Sequence, residues 1–122
     1  AMNPLHDPSS ILAKRSIYFD FDKSNLKAEY RPLVEAHAGY MTGHASATMR
    51  IEGNCDERGS REYNLALGQR RADSLRKSMV LLGVSDTRIE TISWGEEKPR
   101  ATGHNEAAWS QNRRDDIIYT HE

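Results

Sequence analysis

Between Ser60 and Gly83 the chain carries one unbroken stripe of apolar or small residues: Leu65, Gly68, Ala72, Leu75, Met79 and Leu82. Their steps of three and four predict a long amphipathic helix, with Ser60 as N-cap and Gly83 as its stop. Gly68 and Ala72 are small enough to let that helix approach a neighbouring layer closely. A helix with one apolar stripe must bury it against something, and the flanking sequence supplies strands. Ser16 to Phe21 alternates, with Ile17, Phe19 and Phe21 on one side and Tyr18 and Asp20 on the other. Thr48 to Gly53 also alternates, placing Met49 and Ile51 inward and Arg50 and Glu52 outward. Ile89 to Trp94 and Asp116 to Thr120 read as two further strands. Ala28 to Thr42 reads as a first helix with the stripe Tyr30, Leu33, Val34, His37, Ala38 and Met41. Pro32 fits its first turn, and Gly43 suits its stop. Glu106 to Asn112 is a short helix. The order βαβαβαβ predicts an α+β domain with a mixed four-stranded sheet and helices packed on one face. Arg50 and Glu52 predict that the other face is wet.

The 122 residues fit one domain with one core. A net charge of -1 offers no basic field for a phosphate backbone, so nucleic acid is excluded as the expected partner. No apolar run is long enough to span a bilayer. The single cysteine, Cys55, excludes an internal disulfide. Residues 1–15, with Pro4, Pro8, Ser9 and Ser10, read as a leader or linker, and 16–122 as the domain. Ala1-Met2 reads as a remnant of expression, and a lipid-bearing cysteine would lie upstream of this chain.

The turn Gly53-Asn54-Cys55-Asp56-Glu57-Arg58-Gly59-Ser60 joins the second strand to the long helix. Asp56 therefore stands near a helix start, where free N–H groups and a partial positive charge favour an anion. Asp56 can satisfy those groups itself, or it can face a ligand. Asn64, Leu67 and Arg71 form a row on the border between core stripe and solvent. There the arginine fork is free to pair with an internal carboxylate or with one from a ligand. Asp22 follows the first strand. If the first two strands are parallel, Asp22 and Asp56 emerge at the same sheet edge, where open α/β sheets tend to bind ligands. Two carboxylates and one arginine match a ligand that carries an ammonium and a carboxylate on one carbon.

Three motifs in order carry a resemblance: Phe19-Asp20-Phe21-Asp22, then Glu52-Gly53-Asn54-Cys55-Asp56-Glu57-Arg58-Gly59, then Tyr63-Asn64-Leu65-Ala66-Leu67-Gly68-Gln69-Arg70-Arg71-Ala72. Together they resemble the OmpA-like peptidoglycan-binding domain family from about Ile17 to Tyr119. Gly103-His104-Asn105-Glu106-Ala107-Ala108-Trp109 and Asn112-Arg113-Arg114 resemble its branch of peptidoglycan-associated lipoproteins. The resemblance implies non-catalytic binding of the peptidoglycan stem peptide through meso-diaminopimelate. Asp56 would receive the ammonium and Arg71 the carboxylate, with Asp22, Asn64 and Leu67 lining the pocket. It implies no cofactor and a place on the periplasmic side of the outer membrane, held by an upstream lipid anchor. It further implies partnership with Tol proteins, including the periplasmic propeller protein TolB. This sequence departs from the family pattern at three positions. Asn54 stands where histidine is frequent, and Cys55 where threonine or alanine is. Asp115 stands where an apolar residue is common, which predicts a later start for the last strand.

Two other classes compete. A cell-wall enzyme would use Cys55 as nucleophile, or His44, His104 and Asp56 as metal ligands. Cys55 has no adjacent activating partner and reads more simply as a small buried thiol. The histidines lack ligand spacing such as His-x-x-x-His, and His37 falls on an apolar stripe as a core histidine would. A pure protein-interaction domain would leave the pocket without a role, against which the presence of both Asp56 and Arg71 speaks. Arg113 and Arg114 read as braces that pair with acidic neighbours.

Overall fold

The stripe of the long helix meets a four-stranded sheet. A computed structural model describes residues 3–121, so the expression remnant read at Ala1-Met2 lies outside the described residues. The elements are β1 (Ser16–Tyr18), α1 (Arg31–Gly43), β2 (Thr48–Asn54), α2 (Arg61–Leu81), β3 (Ile89–Gly95), α3 (Glu106–Asn112) and β4 (Arg114–His121). The strand order is β1-β4-β2-β3. β4 runs antiparallel to both β1 and β2, and β2 runs parallel to β3. β1 and β2 therefore point the same way, although β4 lies between them. Their C-terminal ends share one edge of the sheet, as the crossover through α1 requires.

α1 and α2 cover one face. Leu33, Val34, Ala38 and Met41 of α1 and Ala72, Leu75 and Met79 of α2 join Ile17, Phe19, Met49, Ile51 and Ile117 in one core. His37 is buried there and satisfied at both ring nitrogens, by the Tyr119 hydroxyl at 2.8 Å and the Lys14 carbonyl at 2.9 Å. Ser60 caps α2, its hydroxyl accepting from the Tyr63 amide at 3.1 Å. Asp56 is thus released from the capping role.

Several expectations are corrected. β1 ends at Tyr18, and the chain turns through Asp22, whose φ of 58° is left-handed. Phe21 therefore leaves the inward row and is exposed. Residues 3–15 are not a free leader. They form two 3-10 turns, Pro4–His6 and Ile11–Ala13, that bury Leu5 and Leu12 in the core. Two isolated leucines gave no periodicity by which to detect this. Leu82 lies past the end of α2 and is exposed. The face away from the helices is less wet than predicted, because Glu52 is only 8% exposed. Arg50 pairs with Glu52 at 3.0 Å, and Arg114 and Arg100 converge on Asp116, so these long side chains cover one another. The last strand starts at Arg114, earlier than Asp115 predicted, and Asp115 enters it fully buried.

α2 crosses β2 at close range. A Cβ on Gly53 would lie 1.8 Å from the carbonyl oxygen of Gly68, and one on Gly68 would lie 2.2 Å from the Ser93 hydroxyl. The first of these clashes is with backbone, which has no rotamer to yield. Gly53→Ala should destabilise the domain by about 3 kcal/mol, as overpacking does. Chemical unfolding would show this as a lower midpoint. An unchanged midpoint would mean that helix and sheet are not locked at this crossing.

Candidate functional site

At the edge where β1 and β2 end, Asp22, Asp56, Asn64, Leu67 and Arg71 all line one cavity of about 210 Å³. Phe21, Cys55, Arg58, Gly59 and Tyr63 complete its wall. The chain after β1 supplies Phe21 and Asp22, the turn after β2 supplies Cys55 to Gly59, and the first three turns of α2 supply the rest. Sequence reasoning singled out five of these positions and passed over Phe21, Arg58 and Tyr63 as site residues. Phe21 was hidden by the strand alternation that its residue type continues. Arg58 lies within the quoted acidic-turn motif and Tyr63 at the head of the helical one, so the signal for both was present.

Arg71 is more deeply placed than the helical wheel predicts, with none of its surface exposed. Its guanidinium crosses between chain segments. Nε donates to the Lys23 carbonyl at 2.8 Å, Nη1 to Asn54 at 2.9 Å and Nη2 to Asp20 at 3.2 Å. The Phe19 ring lies against it, 5.1 Å from centroid to guanidinium carbon. A guanidinium has five N–H donors, so two remain beyond these three bonds. Burial pulls Arg71 below the ordinary arginine range, and Cys55, Asp115 and Asp56 act against that shift. It stays charged all the same.

Asp56 is buried and is not locked to Arg71. Its Oδ1 accepts from the Arg58 amide at 2.9 Å and from Arg58 Nε at 3.2 Å, and its Oδ2 accepts from Arg58 Nη2 at 2.8 Å. Arg113 Nη1 stands 3.7 Å from the same Oδ2, at ion-pair range. A carboxylate has about four acceptor directions, so Oδ2 keeps capacity for one more donor. Arg58 is itself held flat between two rings, 4.0 Å from Phe21 and 4.0 Å from Trp109. Each such contact is worth about 0.5–1 kcal/mol when exposed. The hydrogen bond to Asp56 holds Arg58 above its ordinary value.

The surrounding groups brace this arrangement. The Tyr63 hydroxyl donates to Asp22. The Asn64 amide donates to Glu96 at 2.9 Å. Arg113 grips Glu106 with both ends of its fork, at 3.0 and 2.9 Å, and donates to the Phe19 carbonyl at 2.8 Å. Glu57 accepts from the Trp109 indole at 2.8 Å and from His104 at 2.7 Å. Its carboxyl is held low, first by Trp109 and then by His104. α3 thus fixes the acidic turn from the side, and Arg113 and Arg114 act as the predicted braces.

The histidines named for the enzymatic alternative do not come together with Asp56. His44 stacks on Tyr40 at 4.0 Å, whereas His104 pairs with Glu57. No group of three metal-ligating side chains forms among the described residues. The Cys55 thiol donates to the Asn64 carbonyl at 3.2 Å. Burial pushes it up to about 11.

With fold and site described, comparison with known proteins identifies the class. The OmpA family matches residues 18–113, and the chain belongs to that family. Within it, the similar proteins are peptidoglycan-associated lipoproteins. That of Pasteurella multocida is 46% identical over 104 residues, covering 85% of this chain and 69% of the relative. That of Pseudomonas aeruginosa is 44% identical over 110 residues, covering 90% of this chain and 65% of the relative. The crystal structure of the peptidoglycan-associated lipoprotein from Burkholderia pseudomallei superposes with a TM-score of 0.96 at 52% identity, covering 97% of this chain and 100% of that one. The chain spans about two thirds of the length of the curated relatives it matches.

Cys55 provides a test of the site's chemistry. Only the thiolate is alkylated rapidly. With the thiol pushed up to about 11, iodoacetamide at about pH 8 should label the folded protein at least about a hundredfold more slowly than an exposed cysteine. The rate should climb as pH approaches 11. Rapid labelling near neutrality would mean an activated thiol and reopen the nucleophile reading.

Proposed function

We propose that this domain binds peptidoglycan non-covalently, through the meso-diaminopimelate of the stem peptide. In this reading it tethers the outer membrane to the cell wall as part of the Tol-Pal system. The observation that carries the proposal is the pairing of opposite charges in one cavity. Asp56 and Arg71 both line it, and each keeps binding capacity beyond its internal bonds. The cavity volume of about 210 Å³ is below the roughly 300–1,000 Å³ of sites that enclose a whole small molecule. It suits one end of a side chain whose remainder stays outside, as a residue of a polymer must.

The chemistry then divides by charge. The ammonium of the diaminopimelate side-chain centre meets Asp56 Oδ2, and the carboxylate on the same carbon meets the remaining donors of Arg71. Asp22, Asn64 and Leu67 close the sides. Two or three charge-assisted contacts at about 1.5–3 kcal/mol each, less the cost of association, correspond to binding of about micromolar strength or weaker. Weak single sites suffice on a polymer with many stems, where rebinding raises avidity. The similarity to peptidoglycan-associated lipoproteins supports the wall as target. In the same reading the domain is lipid-anchored on the periplasmic side of the outer membrane and partners Tol proteins, including TolB. The burial that pushes the Cys55 thiol up to about 11 supports a binder over an enzyme.

The test is ligand discrimination by the unaltered protein, because Arg71→Ala would also remove three structural bonds. A calorimetric titration with a diaminopimelate stem peptide should show binding. The lysine analogue keeps the ammonium but lacks the carboxylate, and should bind at least about tenfold more weakly. Equal affinity for the two peptides would count against the assignment.

A further inference from the structure

Asp115 stands apart from every other carboxylate among the described residues. It is fully buried, and neither of its oxygens has a hydrogen-bond partner among the described residues. Its place in the sheet explains where it points. In β4 it is opposite Gly53 of β2 on one side and Ile17 of β1 on the other. Gly53 faces α2, since a Cβ there would strike Gly68. Asp115 shares that face and lies under the helix. Arg71 sits one turn beyond Gly68, and its Nη1 donates to the carbonyl of Asn54, the residue after Gly53. The guanidinium and the Asp115 carboxylate therefore flank the same two residues of β2, buried together, with no direct hydrogen bond between them.

An unpaired charge in such a place is costly, and each of these groups eases the burial of the other. We propose that Asp115 is a buried counter-charge to Arg71 that sets how strongly the cavity holds a carboxylate, and that it takes up a proton when such a ligand binds. This rests on the carboxylate-binding reading of the cavity given above. A ligand carboxylate at Arg71 brings a further negative charge to a cation that already has Asp115 and Asp56 in its field. The ligand carboxylate and Asp115 compete, and Asp115 yields by protonating, because burial already drives it well above the usual carboxylate range. Its other charged neighbours act in the same direction. From α2 it senses Asp73, and from β4 itself Asp116 on the opposite face, both negative. At the end of β2 it adds to the upward shift of the Cys55 thiol, itself neutral until about 11, with Asp56 and Glu96 acting likewise on that thiol. Ile17, its neighbour in β1, contributes no charge. Arg71 is the one positive group among these.

The sign of the effect follows from linkage. Binding favours the protonated form of Asp115, so affinity rises as pH falls through its titration, and protons are taken up on binding. Asp115 acts through Arg71 and is a positioning residue. A purely structural aspartate would change stability on substitution and leave proton exchange unaltered. The experiment is calorimetry of the diaminopimelate stem peptide between about pH 5 and 8 in buffers of differing ionisation enthalpy. The wild-type protein should show net proton uptake at some pH in that range. D115N, nearly isosteric and neutral, should lose that uptake and bind about tenfold tighter where wild-type Asp115 is ionised. The wild-type result stands even if D115N fails to fold. Binding without proton uptake, or uptake that persists in D115N, would overturn this inference and leave the cavity's assignment standing. No binding at any pH would overturn the assignment and this inference with it.

Discussion

One guanidinium holds three stretches of chain together. Arg71 projects from α2 and donates to carbonyls of Asp20 and Lys23, just after β1, and of Asn54, at the end of β2. Those segments leave the sheet at the same edge, where the pairing of β2 with β3 ends at Asn54 opposite Gly95. A buried arginine fork with fixed donor directions ties them together. It works together with the stacking of Arg58 on Phe21 and the Tyr63 bond to Asp22, which hold the chain after β1 against the turn that carries Asp56. The charge that shapes the cavity is also the charge that the cavity offers.

Burying that charge has consequences for its surroundings. Asp56, Asp115 and Cys55 all lie within its field. Asp56 is committed mainly to Arg58, which is stacked between Phe21 and Trp109 and so cannot collapse onto the pocket. The separation of the two arginine–carboxylate partnerships keeps the cavity open. Had Asp56 paired directly with Arg71, the two charges would have cancelled and left no zwitterion site. α3 contributes by holding Trp109 and Glu106 against the acidic turn, so the lipoprotein-like C-terminal motif acts as a structural clamp on the site.

The elements were largely legible because each has a clean period. α2 begins after Ser60, as its cap predicts, and the α3 boundaries agree with the sequence reading. The five candidate residues converge on one cavity because β1 and β2 are parallel, a relation implied by one intervening helix. What escaped was what period cannot encode. Leu5 and Leu12 belong to 3-10 turns too short to show a stripe. β1 ends at Tyr18 and the chain turns through Asp22, so Phe21 leaves the alternation that the residue types continue. The depth of Arg71 depends on how closely α2 approaches the sheet, which the pair Gly53 and Gly68 permits but a helical wheel does not display. Asp115 read as a delay to the last strand. The strand instead takes it inward, opposite Gly53 and under α2.

The central claim is that one bound zwitterion spans Asp56 and Arg71. A crystal structure with free meso-diaminopimelate measures this most directly. The account predicts an ammonium within hydrogen-bond reach of Asp56 and, on the same carbon, a carboxylate within reach of the Arg71 guanidinium. Ligand density at another surface, or in this cavity with its carboxylate turned away from Arg71, would contradict it.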